Sequence, residues 1–460
     1  MNRRDFLTTL AAAVATSSVP VIAQDTASVA RLEIDATVTG PTIPLNFTGL
    51  SYETAQLANP AFFSTSNKTL INLFRDLSPQ GVLRLGGNTS EFTRWSSKDI
   101  AGPPPFEVTG PATHQHENIL TTNSPLALKN LRAFLDATNW SLIYGLNAAQ
   151  GTTENAVAEA TAVHQILGPR LFCFQLGNEP DAWRNRYRPA TFTYEEYAKE
   201  WAKLHDAIVA RIPTAKFGGP DPSNKIAYTT GFAADAHLYS DIVVLTGHYY
   251  TMGPANSPKS TLERLLDPDP KLISDLQTIM PAANAAHLPY RMTEGNSCWD
   301  GGKPGVSDTL ASALWCANMM LEFAQAGVVG VNLHGGGNGF YTPIAGSVSG
   351  GLTRRPEYYG IQFAQQLVGS TFLRTTLTGG SPHLTAYAFQ DQHRRSLVVI
   401  NKSDDSVSLG LPAHTLPQSK AVLLTGPAFD SKDAPIFHSI RVPARNVIQI
   451  PARSATLFKL

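Results

Sequence analysis

The stretch Phe174-Gln-Leu-Gly-Asn-Glu-Pro180 ends a strand-like apolar run, and the segments that follow it decide the fold. Apolar side chains recur at three-to-four spacing through residues 194–212, which predicts an amphipathic helix. The next strand-like run ends at Gly218. A strand, a helix and a second strand in this order form a unit whose strands lie parallel. The stretch therefore indicates an α/β fold.

Eight strand-like runs of this kind lie between residues 44 and 355. They end at Tyr52, Leu85, Tyr144, Leu176, Gly218, Gly247, Met292 and Asn332. Every interval has room for a helix, and one further helix is predicted to begin at Ser307 as its N-cap. Eight such units predict a closed (β/α)8 TIM barrel. An open doubly wound sheet would need a glycine-rich phosphate turn after its first strand, and Leu50-Ser-Tyr-Glu53 is not one.

Short alternating runs, separated by Gly, Pro, Asp and Ser, replace this pattern after about Gly360. They predict an additional antiparallel β-sandwich, and the run Val29–Val38 has the same character. We therefore expect four parts. These are a signal peptide at 1–23, one or more strands within 24–43 that join the sandwich, the barrel at 44–355 and the sandwich at 356–460.

The N-terminal segment carries Arg3 and Arg4 ahead of an apolar, Ala-rich run and a small-residue cleavage site before Gln24. This pattern predicts export by the twin-arginine route to the periplasm or the outside of the cell. The alternative is a membrane anchor, but the run is shorter than the roughly 20 apolar residues that span a bilayer. We expect no stable insertion into a membrane.

The composition of the 460 residues excludes several classes of protein. Hydrophobic residues make up 43% and charged residues 16%, which is typical of a globular chain rather than a disordered one. Lys plus Arg and Asp plus Glu both total 36, so no basic surplus indicates a nucleic-acid partner. Cys173, Cys298 and Cys316 are too few for a disulfide framework and lack zinc-site spacing. We predict no cofactor.

Two glutamates follow barrel strands, at the end where such barrels carry their active sites. Glu179 follows the fourth strand, directly after Asn178, and Glu294 follows the seventh. A lone glutamate is more often a solvated loop carboxylate. A pair at one mouth is what glycosidic cleavage needs, because one carboxyl protonates the departing oxygen and the other attacks the anomeric carbon.

The barrel segments together resemble the clan A glycoside hydrolases and, within them, family 79, which contains β-glucuronidases and heparanases. The resemblance covers about residues 49–341 and rests on seven segments. They are Gly49-Leu-Ser-Tyr-Glu53, Leu83-Arg-Leu-Gly-Gly-Asn88, Leu176-Gly-Asn-Glu-Pro180, Gly218-Gly-Pro-Asp221, His248-Tyr-Tyr250, Thr293-Glu-Gly-Asn-Ser297 with Ser307-Asp-Thr309, and His334-Gly-Gly-Gly-Asn-Gly-Phe-Tyr341. The family also carries a β-sandwich built from C-terminal strands and an N-terminal one.

The resemblance implies a retaining exo-β-glycosidase, most like a β-glucuronidase, that acts through a glycosyl-enzyme intermediate. It implies Glu179 as general acid/base and Glu294 as nucleophile. Asn178 is expected to bind the sugar 2-hydroxyl. Because Glu179 must keep its proton, we expect burial and the nearby charge of Glu294 to raise its pKa.

Other residues receive binding roles from the same resemblance. Glu53 and Asn88 are expected to hold ring hydroxyls, Tyr250 to orient Glu294, and Asn224 to line the pocket. For Arg84 two interpretations stay open, a group that stabilises the nucleophile carboxylate and an ion pair in the barrel core.

The loop after the eighth strand is expected to offer backbone N–H groups and a tyrosine to the carboxylate of the substrate, at Gly339, Phe340 and Tyr341. One departure from the family concerns Trp299, which stands where the glucuronidases carry a carboxylate-binding tyrosine. An indole donates a hydrogen bond but cannot accept one. A neutral β-hexoside, as cleaved by β-glucosidases, is therefore an alternative substrate, and Trp299 is a candidate for stacking on the sugar.

Two rival interpretations come from other classes of function. A metal-dependent barrel hydrolase is suggested by His114-Gln-His116, but this pair lies in a Pro- and Gly-rich loop without a clear preceding strand. We therefore predict no metal site. A non-catalytic carbohydrate-binding protein is the second rival, and the presence of both glutamates disfavours it.

Overall fold

The computed structural model describes residues 29–100, 120–336, 339–391, 394–413, 415 and 420–460. The predicted signal peptide and the pair His114 and His116 lie outside the described residues. The strands are β1 (Ala30–Thr42), β2 (Thr48–Glu53), β3 (Val82–Gly86), β4 (Thr93–Trp95), β5 (Thr121–Asn123), β6 (Ser141–Leu146), β7 (Leu171–Leu176), β8 (Phe217–Pro220), β9 (Ile242–Tyr250), β10 (Tyr290–Asn296), β11 (Val331–Gly335), β12 (Ile344–Ser347), β13 (Gly351–Arg354), β14 (Thr371–Thr378), β15 (Leu384–Gln390), β16 (Arg395–Asn401), β17 (Val407–Gly410), β18 (Lys420–Thr425), β19 (Ile436–Arg441), β20 (Val447–Ile450) and β21 (Ser454–Lys459). The α-helices are α1 (Lys68–Leu77), α2 (Pro125–Thr138), α3 (Thr153–Leu167), α4 (Tyr194–Arg211), α5 (Ile226–Asp235), α6 (Leu262–Leu266), α7 (Pro270–Ala285), α8 (Leu310–Gln325) and α9 (Pro356–Gln365).

Eight parallel strands close into a barrel in the order β10-β11-β2-β3-β6-β7-β8-β9. This confirms the predicted (β/α)8 barrel, and each predicted strand end falls within one of these strands. Strands covered on both faces are almost wholly buried, as β3 and β10 show. The carboxyl ends of all eight strands therefore meet at one mouth.

The helix predicted over residues 194–212 is α4, which begins after a capping box. Thr193 accepts the backbone N–H of Glu196, and the Glu196 side chain accepts the N–H of Thr193. The predicted start of the later helix at Ser307 is wrong. Helix α8 begins at Leu310 with Thr309 as N-cap, because the Ser307 hydroxyl instead accepts the N–H of Lys303 in the preceding turn.

The last helix in the ring, α9, packs against α1 and α8. It starts at Pro356, so the helical layer of the barrel continues beyond residue 355, where we placed its end. The Tyr358 hydroxyl fixes α9 by donating to the Leu73 carbonyl at 2.8 Å. The short hairpin of β12 and β13 lies between the eighth strand and this helix.

Nine strands form the second unit, a curled sheet in the order β19-β18-β21-β16-β15-β14-β1-β17-β20. The predicted β-sandwich is confirmed as this unit, with one parallel pair, β1 and β17, among antiparallel ones. Strand β14 was not predicted, and it pairs with β1 along most of its length. Side chains of seven strands form a separate apolar core, among them Leu32, Leu397, Leu409, Ile448 and Phe458.

A buried polar contact joins the sheet to the barrel. Thr385 and Tyr387 of β15 both donate to the side-chain oxygen of Asn318 on α8, at 2.7 and 3.0 Å. Asn318 donates in turn to Glu322 at 2.9 Å. Of the helices in the described part of the chain, none has the length and apolar character of a membrane span.

Candidate active site

A pocket of about 680 Å³ opens at the carboxyl ends of the barrel strands. It brings together most of the residues that the sequence selected. These are Glu53, Asn88, Glu179, Asn224, Tyr250, Glu294, Trp299 and Tyr341. Seven of the eight barrel strands, with the loops after them, supply this set, so the closure of the barrel makes these residues neighbours.

Glu294 lies inside β10, where the register against both neighbouring strands shifts. The shift lets two successive side chains reach the barrel interior, because Thr293 bonds to Asp221 while Glu294 faces the pocket. Arg84 donates to Glu294 Oε2 at 2.5 Å and Tyr250 donates to Oε1 at 2.9 Å. The predicted contact between Tyr250 and Glu294 is therefore present.

The charges around Glu294 keep it ionised. Burial alone would raise its pKa, but the positive charges of His334, His248 and Arg84 outweigh this effect and lower the pKa to about 2. His334 Nδ1 lies 3.7 Å from Oε2. An ionised carboxylate held in this way is suited to act as a nucleophile.

Glu179 has the opposite surroundings at the end of β7. Its backbone is left-handed, with φ of 49°, and its N–H donates to the Asp221 carbonyl at 3.0 Å. His248 Nδ1 lies 3.0 Å from Oε1. Burial raises the pKa of Glu179; the His248 contact opposes this rise and the charge of Glu294 adds to it. The direction is the one that we predicted from the sequence.

The carboxyl groups of Glu179 and Glu294 lie close to one another in the pocket. One oxygen of Glu179, one of Glu294 and one imidazole nitrogen of His248 lie within 4.8 Å of one another. Carboxyl groups about 5–5.5 Å apart are typical of retaining glycosidases, whereas inverting enzymes leave about 6.5–9.5 Å for a water. The separation therefore fits direct attack by one of them.

Arg84 satisfies both interpretations that the sequence left open. It contacts the candidate nucleophile Glu294, and its other terminal nitrogen pairs with Asp221 in the barrel core. Its Nε donates to Gln175 at 3.0 Å, and Gln175 donates to Asp221 at 2.7 Å. A fully buried guanidinium with two carboxylate partners is stable only as a complete network.

Asn178 and the loop after β7 are held by Glu91, which the sequence did not single out. Glu91 accepts the backbone N–H of Asn178 at 2.8 Å and that of Ala149 at 2.7 Å. Asn178 Oδ1 accepts from Arg84 at 2.7 Å. Burial raises the pKa of Glu91 to about 7 although these N–H groups oppose the rise. Glu91 therefore fixes the position of the residue before Glu179.

Glu53 and Asn88 line the side of the pocket near β2 and β3. Glu53 Oε2 accepts the backbone N–H and the hydroxyl of Thr89 at 2.9 and 2.6 Å. His334 Nε2 lies 3.5 Å from Oε1, and His334 stands between Glu53 and Glu294. The arrangement offers hydrogen-bond acceptors and donors to ring hydroxyls.

The loop after β11 is placed differently from what the family resemblance implies. Tyr341 reaches the pocket, but Gly339 and Phe340 are not among the residues that line it. The backbone N–H of Phe340 donates to the Gly301 carbonyl at 2.5 Å, and that of Tyr341 points to the same oxygen at 3.4 Å. In this conformation neither N–H faces a substrate. Trp299 lines the pocket with 41% of its surface exposed, as a stacking surface requires.

One group of described residues has the composition of a metal site, Glu179, His248 and Glu294. Its chemistry fits a cation poorly. The charges of Asp221 and Glu294 overcome the effect of burial and raise the pKa of His248 to about 10, so its ring is protonated and lacks a free lone pair. Arg84 already neutralises Glu294.

Asp221, His248 and His334 were part of the quoted segments but received no role from the sequence. His248 Nε2 lies 3.0 Å from Asp221 Oδ2, and the neighbouring Arg84 and His248 keep the pKa of Asp221 low despite burial. Each of the three lies within two residues of the carboxyl end of a barrel strand, at β8, β9 and β11. A titratable side chain at that position was the signal that could have identified them.

Comparisons with known proteins give relatives at low identity, and no family model matches the chain. A β-glucuronidase of Neurospora crassa is 24% identical over an alignment that covers 88% of this chain and 80% of the relative. A β-glucuronidase of Aspergillus niger is 25% identical, over 69% of this chain and 62% of its own length.

Two solved structures share the fold. A 4-O-α-L-rhamnosyl-β-D-glucuronidase of Fusarium oxysporum 12S matches with a TM-score of 0.72 and 18% identity over 94% of this chain and all of that one. A family 51 α-L-arabinofuranosidase of Bifidobacterium longum matches with a TM-score of 0.69 and 14% identity, over 94% and 99%. The barrel with its additional sheet is thus a fold that glycoside hydrolases use.

Proposed function

We propose that this protein is a retaining exo-β-glycosidase that removes a terminal β-linked sugar, with β-glucuronides as the first candidate substrates. The observation that carries the proposal is the pair Glu179 and Glu294, whose oxygens approach within 4.8 Å while their pKa values move in opposite directions. Such a pair divides the work of acid and nucleophile between chemically identical side chains.

The first step joins Glu294 to the sugar. The ionised Glu294 attacks the anomeric carbon, the bond from that carbon to the aglycone oxygen breaks, and Glu179 gives this oxygen its proton. In the second step the ionised Glu179 takes a proton from water. The resulting hydroxide displaces Glu294 and gives a product with the original anomeric configuration.

Surrounding groups support each step. Tyr250 and Arg84 fix Glu294 in the attacking orientation. After proton transfer, the cationic His248, held beside Asp221, stabilises the ionised Glu179. The two curated relatives described above are both named β-glucuronidase, which supports a uronate as the sugar.

A neutral hexoside is the second candidate, and two observations favour it. Trp299 replaces a tyrosine, and the backbone N–H groups of Phe340 and Tyr341 point to the Gly301 carbonyl instead of the pocket. A site that lacks the donors for a carboxylate loses most of its preference for an acidic sugar.

The test is a panel of p-nitrophenyl β-glycosides, namely glucuronide, glucoside, galactoside and xyloside. We expect one of them to be cleaved far faster than the others and the β-anomer of the free sugar to appear first in proton NMR spectra. If the α-anomer appears first, the proposed double displacement is wrong. A Trp299→Tyr variant separates the two candidates, because it should raise the relative rate on the glucuronide about tenfold if a neutral sugar is the natural substrate.

The proposal includes export by the twin-arginine route, which Arg3 and Arg4 support. The mature exported protein should begin at Gln24. Replacing both arginines by lysine should leave the uncleaved chain in the cytoplasm, which immunoblotting of cell fractions detects. Cleaved protein outside the cytoplasm after this replacement would contradict the route.

A further inference from the structure

The pocket does not end at the two glutamates. It continues past Ser223 and Met252 into a slot between α5 and α7, on the outer side of β9. We call this part the side slot. Its lining consists of Ile226 and Thr229 of α5, Leu272, Leu276 and Ile279 of α7, Phe323 of α8, and Tyr249 and Tyr290.

Strand β9 lines the side slot with a glycine, Gly247. Side chains alternate along a strand, so His248 and Tyr250 point to the two glutamates while Gly247 and Tyr249 point outward. A Cβ atom on Gly247 would lie 2.8 Å from the Tyr290 hydroxyl and 3.6 Å from the hydroxyl of Thr229. The absence of a side chain on Gly247 therefore makes room for the Tyr290 hydroxyl, which forms part of the slot wall together with Thr229.

The chemistry of the side slot differs from that of the sugar end of the pocket. The side chains of Leu272, Leu276 and Ile279 form one face of α7 and are all apolar. The polar groups at its rim are paired, since Lys271 bonds to Asp275 and the Tyr249 hydroxyl donates to Asp269 at 2.5 Å. A polar ligand such as a second sugar would find few partners here.

The position of the side slot relative to Glu179 indicates whether the slot would bind the sugar ring or the departing group of a substrate. Polar residues that suit ring hydroxyls, Glu53, Asn88 and His334, line the pocket at β2, β3 and β11. The slot lies across the barrel, at the loops that follow β8 and β9. The residue that would protonate the departing oxygen is hydrogen-bonded to His248 of β9. The departing group therefore lies on the β9 side.

We propose that the side slot binds the aglycone, and that the natural aglycone is an apolar group at least as large as one aromatic ring. This inference rests on the proposed glycosidase function and narrows its substrate class. The side slot and the part of the pocket with the two glutamates are continuous. A single glycoside can therefore place its sugar beside the glutamates and its aglycone in the slot.

The test compares two substrates with the same sugar, a phenyl β-glycoside and its 4-butylphenyl counterpart. Their leaving groups have nearly equal acidity, so a difference in kcat/KM reports binding of the butyl chain. We expect the 4-butylphenyl glycoside to have a kcat/KM at least about tenfold higher, since each buried methylene strengthens binding in an apolar pocket.

Two variants form a matched pair. Ile226→Trp narrows the entrance of the slot and should reduce the ratio of the two kcat/KM values to near one. Ile273→Trp places the same ring on the exposed face of α7, where Ile273 is 44% exposed, and should leave the ratio unchanged. A ratio near one in the native protein, or no response to Ile226→Trp, would overturn the proposal. So would a higher kcat/KM on a glycoside with a disaccharide as leaving group.

A binding measurement separates the slot from the catalytic function. If no glycoside is cleaved, the proposed function fails, and calorimetric titration with 4-butylphenol still tests the slot. Binding that weakens about tenfold in Ile226→Trp but not in Ile273→Trp supports an apolar ligand site. Absence of binding refutes it.

Discussion

The ends of β7 and β10 carry the same side chain in opposite surroundings. Glu179 lies on a loop with left-handed backbone, 18% of its side chain is exposed, and one imidazole contacts it. Glu294 lies within a strand, 7% of its side chain is exposed, and Arg84 and Tyr250 are bonded to its two oxygens. Burial acts on both carboxyls in the same direction. The difference teaches that neighbouring charges, not burial, move the pKa values of the two carboxyls apart and so fit them to the proposed roles of acid and nucleophile.

The largest expected effect comes from removing the buried carboxylate. Glu294→Gly should reduce kcat by about 10⁵-fold, because the attacking group is lost. Azide should restore turnover of an activated aryl glycoside by entering the vacated space, and the product should be the α-glycosyl azide. Stopped assays with NMR identification of the azide measure both. A variant with native turnover would remove Glu294 from the chemistry.

Removal of the other carboxyl should have a smaller effect that depends on the leaving group. Glu179→Ala should slow phenyl glycosides about 10²–10⁴-fold, the usual contribution of a general acid, and 2,4-dinitrophenyl glycosides much less. Azide should here give the β-glycosyl azide, because Glu294 still forms the intermediate. Equal losses on both substrates would contradict the role of an acid.

A weaker effect tests the charge balance around Glu294. Tyr250→Phe removes a donor to the ionised carboxylate, so the pKa of Glu294 should rise from about 2. Activity that requires the ionised form should then fall off at a higher pH on the acidic side, with kcat/KM reduced about tenfold. The control is Tyr228→Phe, whose buried hydroxyl has no hydrogen-bond partner among the described residues. An unchanged acidic limb in Tyr250→Phe would show that the contact is not important.

The smallest effect concerns three other buried carboxyls, whose pKa values burial raises as it raises the pKa of Glu179. Burial raises the pKa of Glu91, Glu159 and Glu322 to about 7 in each case. The folded state then retains protons that the unfolded state has already released above pH 4.5. Stability should therefore fall as the pH rises from about 4.5 to 7, and Tm should drop by a few degrees in calorimetry.

A conservative variant checks this pH dependence. Glu159 accepts from Tyr144 and Asn123 through one oxygen, and an amide oxygen can accept both. Glu159→Gln should keep the fold and flatten the change of Tm with pH. A Tm that rises from pH 4.5 to 7 would contradict the raised pKa values.

The sequence predicted the barrel well because buried parallel strands leave continuous apolar runs that end at the mouth. It failed at the start of α8, since the choice between Ser307 and Thr309 depends on a turn made with Lys303. It also missed β14, whose burial alternates only in part and whose partner β1 lies at the other end of the chain.

The sequence predicted those residues of the candidate site that directly follow a barrel strand, but not those whose position depends on contacts with distant segments. Glu179, Glu294 and Tyr250 follow strands directly, and the structure places them together. Glu91 escaped notice because it lies in a short helix after β3 and acts through backbone N–H groups of distant loops. The orientation of Phe340 depends on Gly301, which no motif connects to it.

Strand β1 has a consequence for how the chain is made. It precedes all eight barrel strands in the chain, yet its partner β14 contains residues that follow 347 positions later. Eight barrel strands are synthesised between β1 and β14, so β1 has no strand to pair with while these strands are made. The sheet can be completed only after the C-terminal strands have emerged, which makes its assembly a late and slow event. Until then the backbone N–H and C=O groups along the edges of β1 have no strand to pair with.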